Sequence, residues 1–144
     1  MDKLECSQQP VLTRPKVIKN PKGDIYHVLK KSEPDFRGFG EAYFTTINGG
    51  EIKGWKKHTL MHMNLVVISG CVSFYIYDEI TDKTDSFKLA EDEYCRLSIP
   101  PGFWVAFQGN KNITNIILNV ASIEHDPKEA INCDITTYPL GKNT

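Results

Sequence analysis

Residues 49–70, GGEIKGWKKHTLMHMNLVVISG, decide the fold. The stretch reads as two strands joined by a tight bend and closed by a turn at Gly70. Lys56, His58, Leu60, His62, Asn64 and Val66 are spaced by two, so on a continuous strand their side chains share one face. An ordinary half-buried strand keeps its charges outside and its apolar residues inside. Here an amine and two imidazoles alternate with apolar groups and run into the apolar residues 65–68. That pattern predicts a strand whose ionisable groups line the interior of a β-barrel pocket. The competing reading is a surface strand whose histidines sit in water.

Strands flank this stretch on both sides. Lys16-Val17-Ile18-Lys19 and residues 25–30 (IYHVLK) precede it, separated by the turn composition Asn20-Pro21-Lys22-Gly23-Asp24. Residues 40–46 (GEAYFTT) form the next strand, ended by the turn signal Asn48-Gly49-Gly50. After Gly70 come residues 72–78 (VSFYIYD), 86–89, 96–99, 103–108 (FWVAFQ) and 115–121 (NIILNVA). From about His125 the tail has weak helical or turn character. Short strands at regular spacing with turn signals between them predict a β-sandwich or barrel. Residues 1–15 read as an N-terminal arm, loose or laid on a neighbouring subunit. A homodimer would cover the sheet edge that such a chain leaves open.

The chain has 144 residues and a formal net charge of −1, which fits one domain over residues 1–144. No basic face marks a nucleic-acid partner. No apolar run is long enough to span a membrane. The first ten residues, MDKLECSQQP, lack the apolar core of a signal peptide, so a cytoplasmic protein is expected. Cys6, Cys71, Cys95 and Cys133 are scattered without a C-x-x-C pair, which predicts free thiols, with Cys71 and Cys95 packed as small hydrophobes.

Acid–base chemistry fits the residues better than metal chemistry. In metal-binding cupins a His-x-His, a Glu and a later His hold the ion. Lys56, His58, His62 and Val105 occupy the matching places, which leaves two imidazoles and a protonated amine. No metal and no other cofactor is therefore expected. A histidine in a partly dry pocket can move a proton near neutrality. His58 is the candidate base, Lys56 the cation that stabilises an enolate, and His62 a third catalytic candidate. Asn64 on the same face and Tyr77 on the following strand are candidate substrate contacts. The competing role for Tyr75 and Tyr77 is packing with one end at the surface.

Four segments fall in the order and spacing of a known superfamily. They are Arg37-Gly38-Phe39-Gly40-Glu41, Lys53-Gly54-Trp55, residues 64–70 and Ile99-Pro100-Pro101-Gly102-Phe103. Over about residues 34–134 the chain resembles the dTDP-4-dehydrorhamnose 3,5-epimerases and the related dTDP-sugar 3,4-ketoisomerases. The resemblance implies a cupin-type jelly-roll β-barrel, a homodimer, a nucleotide-linked 4-keto sugar as ligand, no metal, and a role in making surface polysaccharide sugars. The family's R-G-x-H segment matches Lys53-Gly54-Trp55-Lys56, so its histidine is Lys56 here. A second histidine, found two residues on in the ketoisomerases, matches His58. The epimerases' catalytic lysine falls near Met63 and their catalytic tyrosine near Asn119, while the histidine of I-P-P-G-F-x-H is Val105. Arg37 matches a residue that meets the nucleotide's phosphates. Glu41 lies one residue short of a second nucleotide contact, and Lys53 replaces an arginine at a third, keeping charge but losing the bidentate fork.

The sequence thus predicts an all-β, cupin-type jelly roll. Its expected work is metal-independent epimerisation or ketoisomerisation of a dTDP-4-keto-6-deoxyhexose or similar sugar. His58, Lys56 and His62 are the catalytic candidates. Arg37, Glu41, Lys53, Asn64, Tyr77 and Asn119 are the candidate substrate contacts. The alternatives are a non-catalytic cupin that binds a nucleotide sugar or carbohydrate, and a metal-dependent cupin enzyme.

Overall fold

The computed structural model describes residues 9–141. Residues 1–8 of the expected arm, Cys6 among them, lie outside that range. Among the described residues twelve strands form: β1 (Val11–Thr13), β2 (Val17–Ile18), β3 (Ile25–Tyr26), β4 (Glu41–Asn48), β5 (Ile52–His58), β6 (Met63–Ser69), β7 (Cys71–Asp78), β8 (Lys83–Ala90), β9 (Arg96–Ile99), β10 (Trp104–Gly109), β11 (Thr114–Ala121) and β12 (Ala130–Asn132). One sheet has the order β1-β9-β6-β11-β4 and a second β12-β5-β10-β7-β8, with β2–β3 as a separate hairpin. All the strand pairs are antiparallel. The two sheets face each other as a cupin-type jelly roll. Within the stretch expected to be an arm, Val11–Thr13 pairs with β9 of the same chain.

Alternation builds the core between the sheets. Met63, Leu65 and Val67 of β6 meet Val72, Phe74 and Ile76 of β7, joined by Leu97, Ile99, Ile117 and Leu89. Cys71 and Cys95 are buried free thiols, as expected from their surroundings. Asn64 and Val66 of β6 and Arg96 and Ser98 of β9 are buried on the outer face of the sheet too, where residues 27–37 fold back over them. Buried Arg96 holds that cover: it donates to the Val28 carbonyl at 2.7 Å and pairs with Glu33 at 3.1 Å and Asp35 at 3.3 Å. The outer face of the second sheet carries Trp55, Tyr77 and Trp104, and the tail from Cys133 to Leu140 lies across them. Tyr138 stacks on Tyr77 at 4.0 Å between centroids, and Trp55 Nε1 donates to the Ile135 carbonyl at 2.9 Å. The tail is therefore not merely a turn-rich end. It contains β12 and a short 3-10 turn at Ile135–Thr137, and its order comes from aromatic burial and pairing with β5.

Gly70 turns β6 into β7 with φ at +92°, a conformation glycine adopts at no steric cost. A Cβ there would stand 2.1 Å from Asn115 Oδ1. That oxygen is already engaged, accepting the Cys71 N–H at 2.9 Å, while Asn115 Nδ2 donates to the Ile47 and Lys111 carbonyls at 3.0 Å each. Gly70→Ala combines backbone strain with displacement of a buried, fully used amide. Urea unfolding should show a loss on the order of 2–3 kcal/mol; an unchanged midpoint would mean that the hairpin tolerates a side chain.

Candidate active site

The predicted pair of strands exists, but its two halves belong to different sheets. β5 lies in the second sheet and β6 in the first, so residues 59–62 cross between them. That crossing resets the alternation. Even-numbered Lys56 and His58 face the cavity on β5, whereas odd-numbered Met63 and Leu65 face it on β6. His62 and Asn64 are accordingly on the other side of the first sheet, and the expectation that they join His58 is corrected. Asn64 donates to the Asp35 carbonyl at 3.0 Å and accepts from Ser98 Oγ. His62 is buried with an unpartnered Nδ1. Tyr77 is likewise corrected. It lies on the outer face of β7 under Tyr138, and its phenol donates to Asp82 at 2.6 Å, which with burial pushes its pKa up to about 12.

A cavity of about 430 Å³ opens between the sheets. The first sheet contributes Tyr43, Thr45, Met63, Leu65, Ile117 and Asn119, and the second contributes β5 together with Val105 and Phe107. Lys53 and Lys56 both face it although they are three residues apart. A bulge at Gly54-Trp55 explains this: Phe107 pairs with Lys53 and Val105 with Lys56, so two β5 residues oppose Ala106 alone. A Cβ on Gly54 would stand 2.5 Å from Ala106 Cβ, so only glycine lets β10 approach here. Lys53 Nζ donates to the Thr46 carbonyl at 2.6 Å and lies 5.9 Å from the Phe107 ring centroid. Lys56 Nζ makes no hydrogen bond or ion pair among the described residues. The lining carries these two lysines and no carboxylate, which suits an anionic ligand.

His58 stands at the end of β5, 9% exposed, with Nδ1 2.5 Å from Glu129 Oε1. Glu129, 4% exposed, precedes β12 and is carried to His58 by the β12–β5 pairing. Its Oε2 accepts the N–H groups of Leu60 and Met61 at 2.9 Å each. Burial works against the Glu129 carboxylate, but the bonds from His58 and the two amides outweigh it and hold its pKa below the ordinary glutamate value. An ionised carboxylate only accepts, so His58 Nδ1 carries the hydrogen, and in the neutral imidazole Nε2 is the nitrogen with a lone pair. Glu129 left no mark in the sequence pattern, since it lies in an aperiodic tail 71 residues from its partner. Asn119, 1% exposed, donates Nδ2 to Tyr43 Oη at 3.0 Å, and its Oδ1 has no partner.

Arg37 and Glu41 do not line the cavity. Arg37 donates Nε to the Pro34 carbonyl at 3.2 Å and lies near His62. Glu41 pairs with Ala121, whose side chain is in the core, so it shares the inward side of β4 with Tyr43 and Thr45. Among the described residues no three His, Cys, Asp or Glu stand together as a metal site. His58, whose Nδ1 is spent on Glu129, is the one imidazole in the lining.

No family model and no curated protein matches the sequence. Solved structures do. A dTDP-sugar isomerase from Desulfovibrio desulfuricans G20 is 27% identical, with a TM-score of 0.83 over 89% of this chain and 85% of that one. QdtA, a sugar 3,4-ketoisomerase from Thermoanaerobacterium thermosaccharolyticum in complex with TDP, is 22% identical with a TM-score of 0.74 over 85% and 87%. A dTDP-4-dehydrorhamnose 3,5-epimerase from Sulfolobus tokodaii is 19% identical with a TM-score of 0.78 over 88% and 78%.

The buried His62 makes stability depend on pH. Desolvation first, then the Arg37 charge, lowers its pKa from 6.5 to about 4, Asp35 opposing and Arg96 adding to the shift. Between those values the unfolded chain binds a proton that the folded chain refuses, so stability falls as pH drops from 6.5 towards 4. The loss across that window should be about 3 kcal/mol. Chemical unfolding measured from pH 7 to 4 should show a slope that a His62→Gln variant flattens; the same slope in the variant would assign the effect to other groups.

Proposed function

We propose that the chain, as a divergent, cupin-type member of the dTDP-4-dehydrorhamnose 3,5-epimerase and dTDP-sugar 3,4-ketoisomerase superfamily, moves a proton on a dTDP-4-keto-6-deoxyhexose or a similar nucleotide-linked 4-keto sugar. One observation carries the reading. His58 lines a cavity with a basic, partly aromatic lining, while its Nδ1 is held by Glu129. A keto group acidifies the protons on its neighbouring carbons. His58 takes one of them, the C–H electron pair becomes the enolate double bond, and Lys56 stabilises the oxyanion by its charge.

Lys53 supplies the second cation of the cavity and meets the diphosphate. Arg37 and Glu41 contact the nucleotide at the outer end, as the resemblance implies, which holds the reacting ring against His58. The donor set favours a metal-independent reaction, because Lys56 and Val105 stand where ligands would be needed and His58 is bound to Glu129. Such a reaction belongs to the cytoplasmic making of deoxysugars for surface polysaccharides. A homodimer is part of the same proposal. The outer face of the first sheet presents Phe44 at 62% and Ile68 at 45% exposure beside half-buried Ile116, Leu118 and Val120, an apolar surface of the kind a second subunit covers.

The second reading, a cupin that binds the nucleotide sugar without turning it over, is favoured by Asn119 and Met63 at two catalytic positions of the epimerases.

Two measurements decide these points. In chelator-treated buffer the wild type should exchange solvent deuterium into a dTDP-4-keto-6-deoxyhexose, read by mass. His58→Asn keeps size and a hydrogen bond but lacks the acceptor, and should lose about a hundred- to ten-thousandfold in exchange rate. Equal exchange in the variant would remove His58 from the chemistry. A wild type that binds dTDP yet exchanges nothing would establish the binding module instead. Light scattering at micromolar concentration should give a dimer mass, and a monomer alone would count against the proposed interface.

A further inference from the structure

The cavity holds a phenol that the mechanism so far does not use. Near the place of the epimerases' catalytic tyrosine this chain has Asn119, which cannot act as an acid. Asn119 is paired across the strands with Tyr43, and both line the cavity. Asn119 Nδ2 donates to Tyr43 Oη at 3.0 Å, and that hydroxyl makes no other hydrogen bond among the described residues. Because the phenol oxygen accepts in this bond, its own proton is not spent on Asn119 and is available to a ligand. The donated amide bond also stabilises the phenolate that would remain after the proton left. Asn119 Oδ1 is buried and has no partner among the described residues, so it does not compete for the Tyr43 proton. Tyr43 stands on the first sheet and His58 on the second, so base and phenol face the cavity from opposite walls.

We propose that Tyr43 is the proton donor that completes the reaction, with Asn119 as its positioning residue; this rests on the function proposed above. His58 Nε2 takes a proton from the carbon beside the keto group, leaving the enolate. Tyr43 gives its hydroxyl proton to the enolate from the other side. Delivered to carbon, that proton forms the new C–H bond with the enolate electron pair, restores the carbonyl and inverts the centre. Delivered to oxygen, it gives the enediol through which a ketoisomerisation passes. In the epimerisation His58 ends protonated and Tyr43 ends as phenolate, and one proton returned through water resets both. In the ketoisomerisation the enediol's C3 hydroxyl gives its proton to the Tyr43 phenolate while protonated His58 gives its proton to C4, so the 3-keto sugar forms and both groups are reset.

The test separates proton removal from proton delivery. Wild type, Tyr43→Phe and Asn119→Asp are incubated with dTDP-4-keto-6-deoxyglucose in D2O, and deuterium in the substrate is measured alongside product. Asn119→Asp keeps the size, but its carboxylate accepts the phenol's proton instead of donating to its oxygen. Both variants should keep deuterium exchange within about threefold of wild type while product formation falls about a hundredfold or more. Product formation at the wild-type rate in Tyr43→Phe would overturn the assignment. So would a parallel loss of exchange, product and dTDP-induced thermal stabilisation, since that is the signature of a binding or structural role. A wild type that binds dTDP but exchanges no deuterium overturns the proposed reaction itself, and the Tyr43 role with it, before any variant is compared.

Discussion

The Glu129 carboxylate is the contact on which the site depends. It sits where the chain passes from one sheet to the other, and it ties that crossing to the tail. One oxygen holds His58; the other takes the N–H groups of Leu60 and Met61, while the Glu129 carbonyl accepts from the N–H and hydroxyl of Thr59 at 2.8 and 2.7 Å. A bend between sheets exposes backbone donors that a strand ladder would have used. A buried charge meets those donors here and is stabilised by them in return. The same carboxylate sets the histidine tautomer, so one side chain serves both the fold and the chemistry.

What brings Glu129 there is aromatic packing on the far side of the second sheet. Tyr138 lies against Tyr77, Trp55 and Trp104, and Trp55 also donates to the tail. The face of β7 that carries Tyr77 is therefore structural, and its phenol is committed to Asp82. The opposite face of the same layer supplies Phe74 to the cavity wall. The bulge at Gly54-Trp55 links the two faces: it sends Trp55 outward to the tail and brings Lys53 and Lys56 inward together.

The polar side chains of the decisive stretch divide into two groups with different physics. Lys56 and His58 face a space that a ligand can fill. His62 and Asn64 face residues 27–37, where Asn64 reaches the Asp35 carbonyl and Ser98. Buried polar groups on that second side fasten a covering segment, with Arg96 as its main anchor. A buried imidazole there is kept neutral by its surroundings.

The strand order along the chain, the glycine hairpin at Gly70, the free buried thiols Cys71 and Cys95 and the inward direction of Lys56 and His58 were legible in the sequence. Each follows from local rules, namely alternation, turn composition and the burial of small apolar groups. The side of the sheet taken by His62, Asn64 and Tyr77 was not legible, because alternation holds only within one strand and the bend resets it. Glu129 was not legible either, since a single acid in an aperiodic tail gains its meaning only when β12 pairs with β5. Tyr43 was placed on its strand, but its tie to Asn119 depends on the register between β4 and β11, which are far apart in the chain. The sequence by itself determined the strands from β4 to β11, while β1 and β12 form only by pairing with β9 and β5 and residues 27–30 leave the expected strand; the tertiary structure alone decided which side chains share a cavity, because that is set by contacts between distant segments.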